Sequence, residues 1–292
     1  MKKILLFGAD SFTGKHLLAY LSNKDYNVFG TTVSPSDSLF QCDITDKGNV
    51  KTILEEVMPD YIINLTGISS ITYPDKELFY KVNLFGVENI LKCIIEINNY
   101  SPKKIILPSS AYVYGNQEQS VLDETICPNP NNHYSLSKYA MEQIAKTYFR
   151  KINIIITRPF NYTGPAQEET FIIPKIVLHF KTKKNAIELG NLDVVREFND
   201  IHFVCEVYEK LLLSESCNII VNVCSGRGIK LREIINYLHD FTGYHLDVIE
   251  NKCFFRDDEV YQLVGSTTRL FQIIGEVKQK DFKETLIEML KS

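Results

Sequence analysis

The chain has 292 residues, 45% of them hydrophobic and 23% charged, enough to bury one sizeable core with a smaller lobe attached. Its 32 Lys plus Arg against 36 Asp plus Glu give a formal net charge of -4, and neither sign gathers in a long block, which argues against a general nucleic-acid surface. No apolar run approaches the ~20 residues that span a bilayer, and MKKILLFGADSF breaks before it reaches signal-peptide form, so the expected setting is the cytoplasm, with no membrane partner.

In chain order, KILLFG at 3–8 is a short buried-strand pattern ending at Gly8, followed by the helical period of TGKHLLAYLSN. YNVFGTT is a second strand, QCDIT a third, and 50–58 a helix before the punctuation of Pro59 and Asp60. YIINLTG is a fourth strand, followed by a long apolar-striped helix over 74–99. KKIILPSS and NIIITRPF are the fifth and sixth strands, with a helix over 134–150 between them. Strands rich in Ile, Val and Leu alternating with helices predict an α/β fold: a Rossmann-type doubly wound parallel sheet over 1–158.

After Pro159 the rhythm loosens. Helices are expected near 172–183, 203–213, 231–243 and 282–290, with strands at IIVNVC and HLDVIE. This region, 159–292, reads as a smaller C-terminal α/β substrate lobe, discontinuous because IIVNVC has the composition to return to the main sheet. Seven cysteines, Cys42, Cys93, Cys127, Cys205, Cys217, Cys224 and Cys253, show no CxxC, and none of the six histidines forms HExxH. An odd, unpatterned set implies reduced thiols and no metal site.

Two constellations carry chemistry. Gly8-Ala9-Asp10-Ser11-Phe12-Thr13-Gly14 lies between the first strand and first helix, where a glycine turn and a helix N-terminus receive a dinucleotide's pyrophosphate. Ser11 stands where a second glycine is commonest. The second strand ends in Gly30-Thr31-Thr32 without the acidic residue that grips an adenosine ribose, which favours NADP(H) while leaving NAD(H) possible. Asp43 either accepts from the adenine amino group or caps the helix that follows.

The second constellation is Tyr134 with Lys138, at i and i+4 on one helical face. An adjacent ammonium favours the phenolate and tunes a tyrosine for proton transfer. Ser109 and Ser110 end the fifth strand, at the rim where such sheets bind ligands.

The Gly8 loop, Asn83 in KVNLFGVENIL, SSAYVYG, YSLSK and RPFNYTG together resemble the extended short-chain dehydrogenase/reductase family that acts on nucleotide sugars. The resemblance runs over essentially the whole chain. It implies a triad of Ser110 as hydroxyl, Tyr134 as proton-transfer residue and Lys138, which lowers the Tyr134 pKa and holds the nicotinamide ribose. Asn83 fixes the backbone beside them. The cofactor-binding set expected from the loop, the strand ends and the resemblance is Gly8, Ser11, Phe12, Gly14, Thr31, Asp43, Ile44, Leu65, Thr66, Gly67, Asn83, Tyr134, Lys138 and Pro159.

Relatives that remove water across C5 and C6 carry a Glu two positions after the triad hydroxyl. Here Ala111 and Tyr112 follow Ser110, so a base for the C5 proton is missing and a reductase or an epimerase remains. RPFNYTGPAQ, LGNLDVVREFND, VNVCSGRGIKLREI and RDDEVYQLVGSTTRL are similar to the branch that reduces GDP-4-keto-6-deoxy-D-mannose. That similarity implies a GDP-linked keto sugar as substrate, with Arg196 and Arg256 on the diphosphate, Asn161 near the sugar phosphate, Phe171 and Lys175 bordering the base, and Tyr112 by the sugar. Glu197, where relatives usually show Asp, and the absence of a Trp-Xaa-Pro ending to LFQIIGEVKQ depart from the pattern. The long helix and the Tyr134 helix resemble the pair that forms the family's dimer interface, which implies a homodimer.

Overall fold

The computed structural model describes residues 1–71, 73–255 and 259–292. In its first strand, β1 (Lys2–Phe7), Leu5 and Phe7 enter one apolar cluster while Ile4 and Leu6 enter another, because successive strand side chains face opposite ways. A strand buried on both faces must be central.

The first half continues as α1 (Phe12–Ser22), β2 (Tyr26–Thr32), β3 (Phe40–Gln41), α2 (Lys47–Val57) and β4 (Tyr61–Asn64). Then come α3 (Lys76–Tyr80), α4 (Val87–Glu96), β5 (Lys104–Pro108), α5 (His133–Thr147) and β6 (Ile154–Pro159). The second half runs β7 (Tyr162–Thr163), α6 (Ile172–Lys181), β8 (Ala186–Leu189), β9 (Val195–Glu197), β10 (Asn199–Asp200) and α7 (Ile201–Leu213). It ends with β11 (Ile219–Val223), β12 (Gly228–Lys230), α8 (Leu231–Thr242), β13 (Asp247–Glu250), β14 (Gln262–Leu263), α9 (Thr268–Ile274) and α10 (Phe282–Lys291).

Seven strands form one parallel sheet in the order β11-β6-β5-β4-β1-β2-β3. This is the dinucleotide-binding order extended at one edge by β11. Helices α2, α4 and α5 cover one face through Val50, Leu54, Ile90, Leu91 and Met141. Helices α1, α7 and α9 cover the other through Leu17, Leu21, Val204, Leu211 and Leu270. Each fully buried Leu or Ile contributes about 1.5–3 kcal/mol, so both layers are held firmly on the sheet. A third cluster joins α6, α8, α10 and β8 through Ile176, Leu189, Ile234, Leu238 and Leu286, and β12-β9-β14 form a small sheet.

Two expected elements differ. The third strand is only Phe40–Gln41, because the Asp43 carboxylate accepts from the Thr45 amide at 2.8 Å and turns the chain. The long helix is interrupted by a π turn at Lys81–Gly86 between α3 and α4. That interruption carries Asn83, fully buried.

A buried ion pair fastens α5 to β6. Arg158 donates to both Glu142 oxygens, at 2.9 and 2.7 Å, and lies over the Tyr114 ring at 4.7 Å. Among the described residues no helix is long and apolar enough to cross a membrane.

Candidate active site

The triad positions converge at the C-terminal rim of the sheet. Ser110, just past β5, is extended and accepts from the Tyr112 amide at 3.2 Å, capping the short 3-10 turn Ala111–Tyr114. Tyr134 lies in the first turn of α5, which Asn132 and Ser135 cap reciprocally, and the Ser110 hydroxyl lies close enough to its phenol to act on it. Lys138 follows one turn later and donates to the Pro108 carbonyl at 2.9 Å.

The electrostatics depart from expectation. Burial raises the Tyr134 phenol well above its usual value, the Ser110 hydroxyl works against that rise, and nearby Tyr162 and Tyr112 add to it. Lys138 is not among the groups acting on it. Its ammonium is turned to Pro108, and burial depresses it to about 8 against the opposing influence of Glu142. Tyr134 is therefore a protonated phenol at neutral pH, fit to donate.

Asn83 explains how the backbone beside Lys138 is held. Its amide oxygen accepts from the Ile68 amide at 2.9 Å, and its nitrogen donates to the Ile68 carbonyl and the Ser137 hydroxyl, both at 3.1 Å. These bonds place Gly67 against Lys138: a Cβ on Gly67 would stand 3.3 Å from Nζ and 3.0 Å from the Asn83 oxygen. The glycine leaves room beside the ammonium, and Asn83 holds the backbone at Ile68.

The Gly8 loop has the form a dinucleotide needs. Gly8 has φ +75°, and a Cβ there would lie 2.8 Å from the Thr66 amide nitrogen, so only glycine takes this turn without strain. Ser11, in the place of the usual second glycine, is the N-cap of α1: its hydroxyl accepts from Gly14 at 3.1 Å and donates to the Gly8 carbonyl at 2.8 Å. The α1 N-terminus, starting at Phe12, is then free to face a pyrophosphate. Leu65 and Thr66 continue β4 beside the loop, the Leu65 amide bonding the Phe7 carbonyl at 2.8 Å.

Some expected cofactor residues are otherwise engaged. Thr31 is buried, and its hydroxyl accepts from the Gly8 amide at 3.3 Å, so it supports the loop from beneath. Of the two alternatives for Asp43, helix capping falls to Asp46, which accepts from Gly48 and Asn49; the Asp43 side chain stays exposed at the sheet edge. Ile44 is buried in the core and Pro159 ends β6 against Val223.

Among the residues expected at the substrate, Tyr112 packs edge-on to Tyr134, ring centres 6.4 Å apart. Tyr162, which sequence reasoning had not singled out within RPFNYTG, stacks on Phe12 at 6.2 Å and hydrogen-bonds Thr13 at 2.8 Å. It links the phosphate loop to the surroundings of Tyr134. The Asn161 carbonyl accepts from the Asn199 amide at 2.8 Å.

Phe171 precedes α6 as its N-cap residue. Lys175 donates to the Glu188 carbonyl at 3.0 Å and lies over the Phe254 ring. Arg196, on β9, is no surface charge: it is buried and pairs with Glu259 at 3.2 Å. None of these three touches the triad. Arg256 lies outside the described residues. Glu197, the departure beside Arg196, is a strut whose carboxylate accepts from the Ser225 and Gly265 amides, each at 2.6 Å.

The chain matches the family described as GDP-mannose 4,6 dehydratase over residues 5–289. It is 34% identical to a GDP-6-deoxy-D-talose 4-dehydrogenase of Aggregatibacter actinomycetemcomitans, over 99% of this chain and 97% of that one. It is 28% identical to a GDP-6-deoxy-D-mannose reductase of Pseudomonas aeruginosa, over 99% and 96%. A solved structure of RMD from Pseudomonas aeruginosa complexed with NADPH superposes with a TM-score of 0.87 at 27% identity, covering 100% of this chain and 97% of that one. With that match laid on this sheet and rim, the chain belongs to the GDP-mannose 4,6 dehydratase family, among the extended short-chain dehydrogenase/reductases, and is an NAD(P)(H)-dependent enzyme.

Proposed function

We propose that the chain reduces the C4 keto group of a GDP-linked 4-keto-6-deoxyhexose, GDP-4-keto-6-deoxy-mannose or a close relative. The observation that carries this reading is a protonated phenol at the rim with tyrosines and, among the described residues, no free carboxylate around it. Tyr112 and Tyr162 face Tyr134, and Ala111 is fully buried. Glu142, close enough to act on Lys138, is committed to Arg158. With no base for a C5 proton among the described residues, elimination of water lacks its first step.

A bound reduced nicotinamide supplies the hydride. Tyr134 then donates its proton to the C4 oxygen while the Ser110 hydroxyl steadies the charge developing there, giving a secondary alcohol and a phenolate. Lys138, positively charged below about pH 8 and bonded through one hydrogen to the Pro108 carbonyl, offers its other hydrogens to the nicotinamide ribose. The names of the two curated relatives support the sugar: both specify GDP and a 6-deoxyhexose, and one names carbon 4.

In this reading residues 1–158 hold the dinucleotide and 159–292 the nucleotide sugar, with Arg196, Lys175, Phe171 and Asn161 on the GDP side. The chain works as a homodimer through the helices bearing Phe85, Ile95 and Leu136, which are 55%, 41% and 41% exposed. Incubation with GDP-, CDP- and dTDP-4-keto-6-deoxy sugars, each with NADH and with NADPH, tests the proposal. It predicts loss of reduced-nicotinamide absorbance with the GDP sugar and a 6-deoxyhexose product; no consumption with any keto sugar, together with inversion at C4 of a GDP-6-deoxyhexose that carries a C4 hydroxyl, would instead establish an epimerase.

A further inference from the structure

Strand β2 ends without a carboxylate of its own, yet one is delivered there from the phosphate loop. The Thr32 hydroxyl donates to Asp10 Oδ2 at 2.7 Å while accepting from the Ser34 amide at 3.2 Å. Thr32 is buried, so the tether is fixed at its strand end. The two preceding loop residues are pinned to the same strand, Gly8 through the Thr31 hydroxyl at 3.3 Å and Ala9 through the Thr31 carbonyl at 2.8 Å. Three consecutive links thus set the position of Asp10, whose side chain is otherwise exposed.

In a sheet of this order the C-terminal end of β2 faces the adenosine ribose of a dinucleotide bound over the loop. A carboxylate there accepts from the 2'-hydroxyl and repels a 2'-phosphate, which calls for Arg. Residues 4–14 and 30–46 contain no Lys or Arg, while Asp37, Asp43 and Asp46 join Asp10 in adding negative charge. A phosphate placed here would meet a carboxylate and no cation from either segment.

We propose that Asp10, held by Thr32, is the specificity-determining residue of the adenosine ribose subsite and selects NAD(H) over NADP(H). This rests on the cofactor lying over the Gly8 loop and not on the identity of the sugar. Asp10 supplies to the site, from the loop, what strand β2 omits. Thr32 is its positioning residue.

Titrations of the full chain with NAD+ and with NADP+, followed by calorimetry in the absence of any sugar, test the assignment. The wild type is expected to bind NAD+ at least ~10-fold more tightly than NADP+. Asp10→Asn, which keeps the shape and removes the charge, is expected to narrow that ratio by ~10-fold or more, chiefly by improving NADP+ binding. Thr32→Val, which cuts the tether and leaves the charge, is expected to weaken NAD+ binding several-fold. Equal or tighter NADP+ binding by the wild type, or an unchanged ratio in Asp10→Asn, overturns the proposal. Failure of the sugar reading shows separately, as normal dinucleotide binding without turnover of a keto sugar.

Discussion

In the proposed reaction the chemistry rests on three side chains whose roles divide differently from a simple Tyr-Lys pair. Burial keeps the Tyr134 proton on, and Lys138 shares only its neighbourhood. Tyr134→Phe is expected to lower turnover ~100-fold or more with dinucleotide affinity nearly intact, since only the proton donor is lost; turnover within a few-fold of wild type, in a steady-state assay, removes Tyr134 from the mechanism. Lys138 gives a pH signature. Its depressed ammonium is charged below about pH 8 and loses that charge as pH rises through this value, so kcat/KM for the dinucleotide, which reports the free enzyme, is expected to fall above pH 8. A profile flat to pH 10 contradicts that role. At this scale the sequence was informative where spacing is local, as for Tyr134 and Lys138, and silent where partners are distant. Tyr162 meets Thr13 across 149 positions, and Asp10 meets Thr32 across 22; neither pairing leaves a periodic trace.

Secondary structure was legible wherever a strand is buried on both faces or a helix carries an apolar stripe. Five of the six strands of the first half and the helix bearing Tyr134 fall where the pattern puts them, while the third strand is cut short at Phe40–Gln41. Short elements were not: β12, β14 and α9 span too few residues for a period to emerge. The π turn at Lys81–Gly86 was also hidden, because its cause is a side-chain clamp from Asn83 to Ile68 and Ser137. Helix α5 and strand β6 owe their fixed relation to Arg158 and Glu142, 2% and 0% exposed. Glu142→Gln removes the negative charge beside a buried guanidinium and is expected to cost about 3–5 kcal/mol of stability in urea unfolding. The apolar pair Glu142→Leu with Arg158→Met should restore most of that loss. A single variant as stable as wild type would show that the pair contributes little.

For the whole molecule, the parallel sheet with its ligand rim was readable from the rhythm of strands and helices, and the loss of that rhythm after Pro159 has a physical basis. Strand β11 returns from the second half to pair with β6, while β7 to β10 are brief pieces paired into small sheets. Much of the second half is consequently built from loops and short strands, where Arg196 proves buried and paired to Glu259. Composition and spacing cannot reveal such a pairing. The most direct test of the central claim is to supply reduced dinucleotide deuterated at the transferring position together with GDP-4-keto-6-deoxy-mannose, and to locate the label in the sugar by NMR. Hydride reduction by this site predicts deuterium at C4 of the product, one per dinucleotide oxidised; a sugar altered without label, or a dinucleotide left unconsumed, contradicts it.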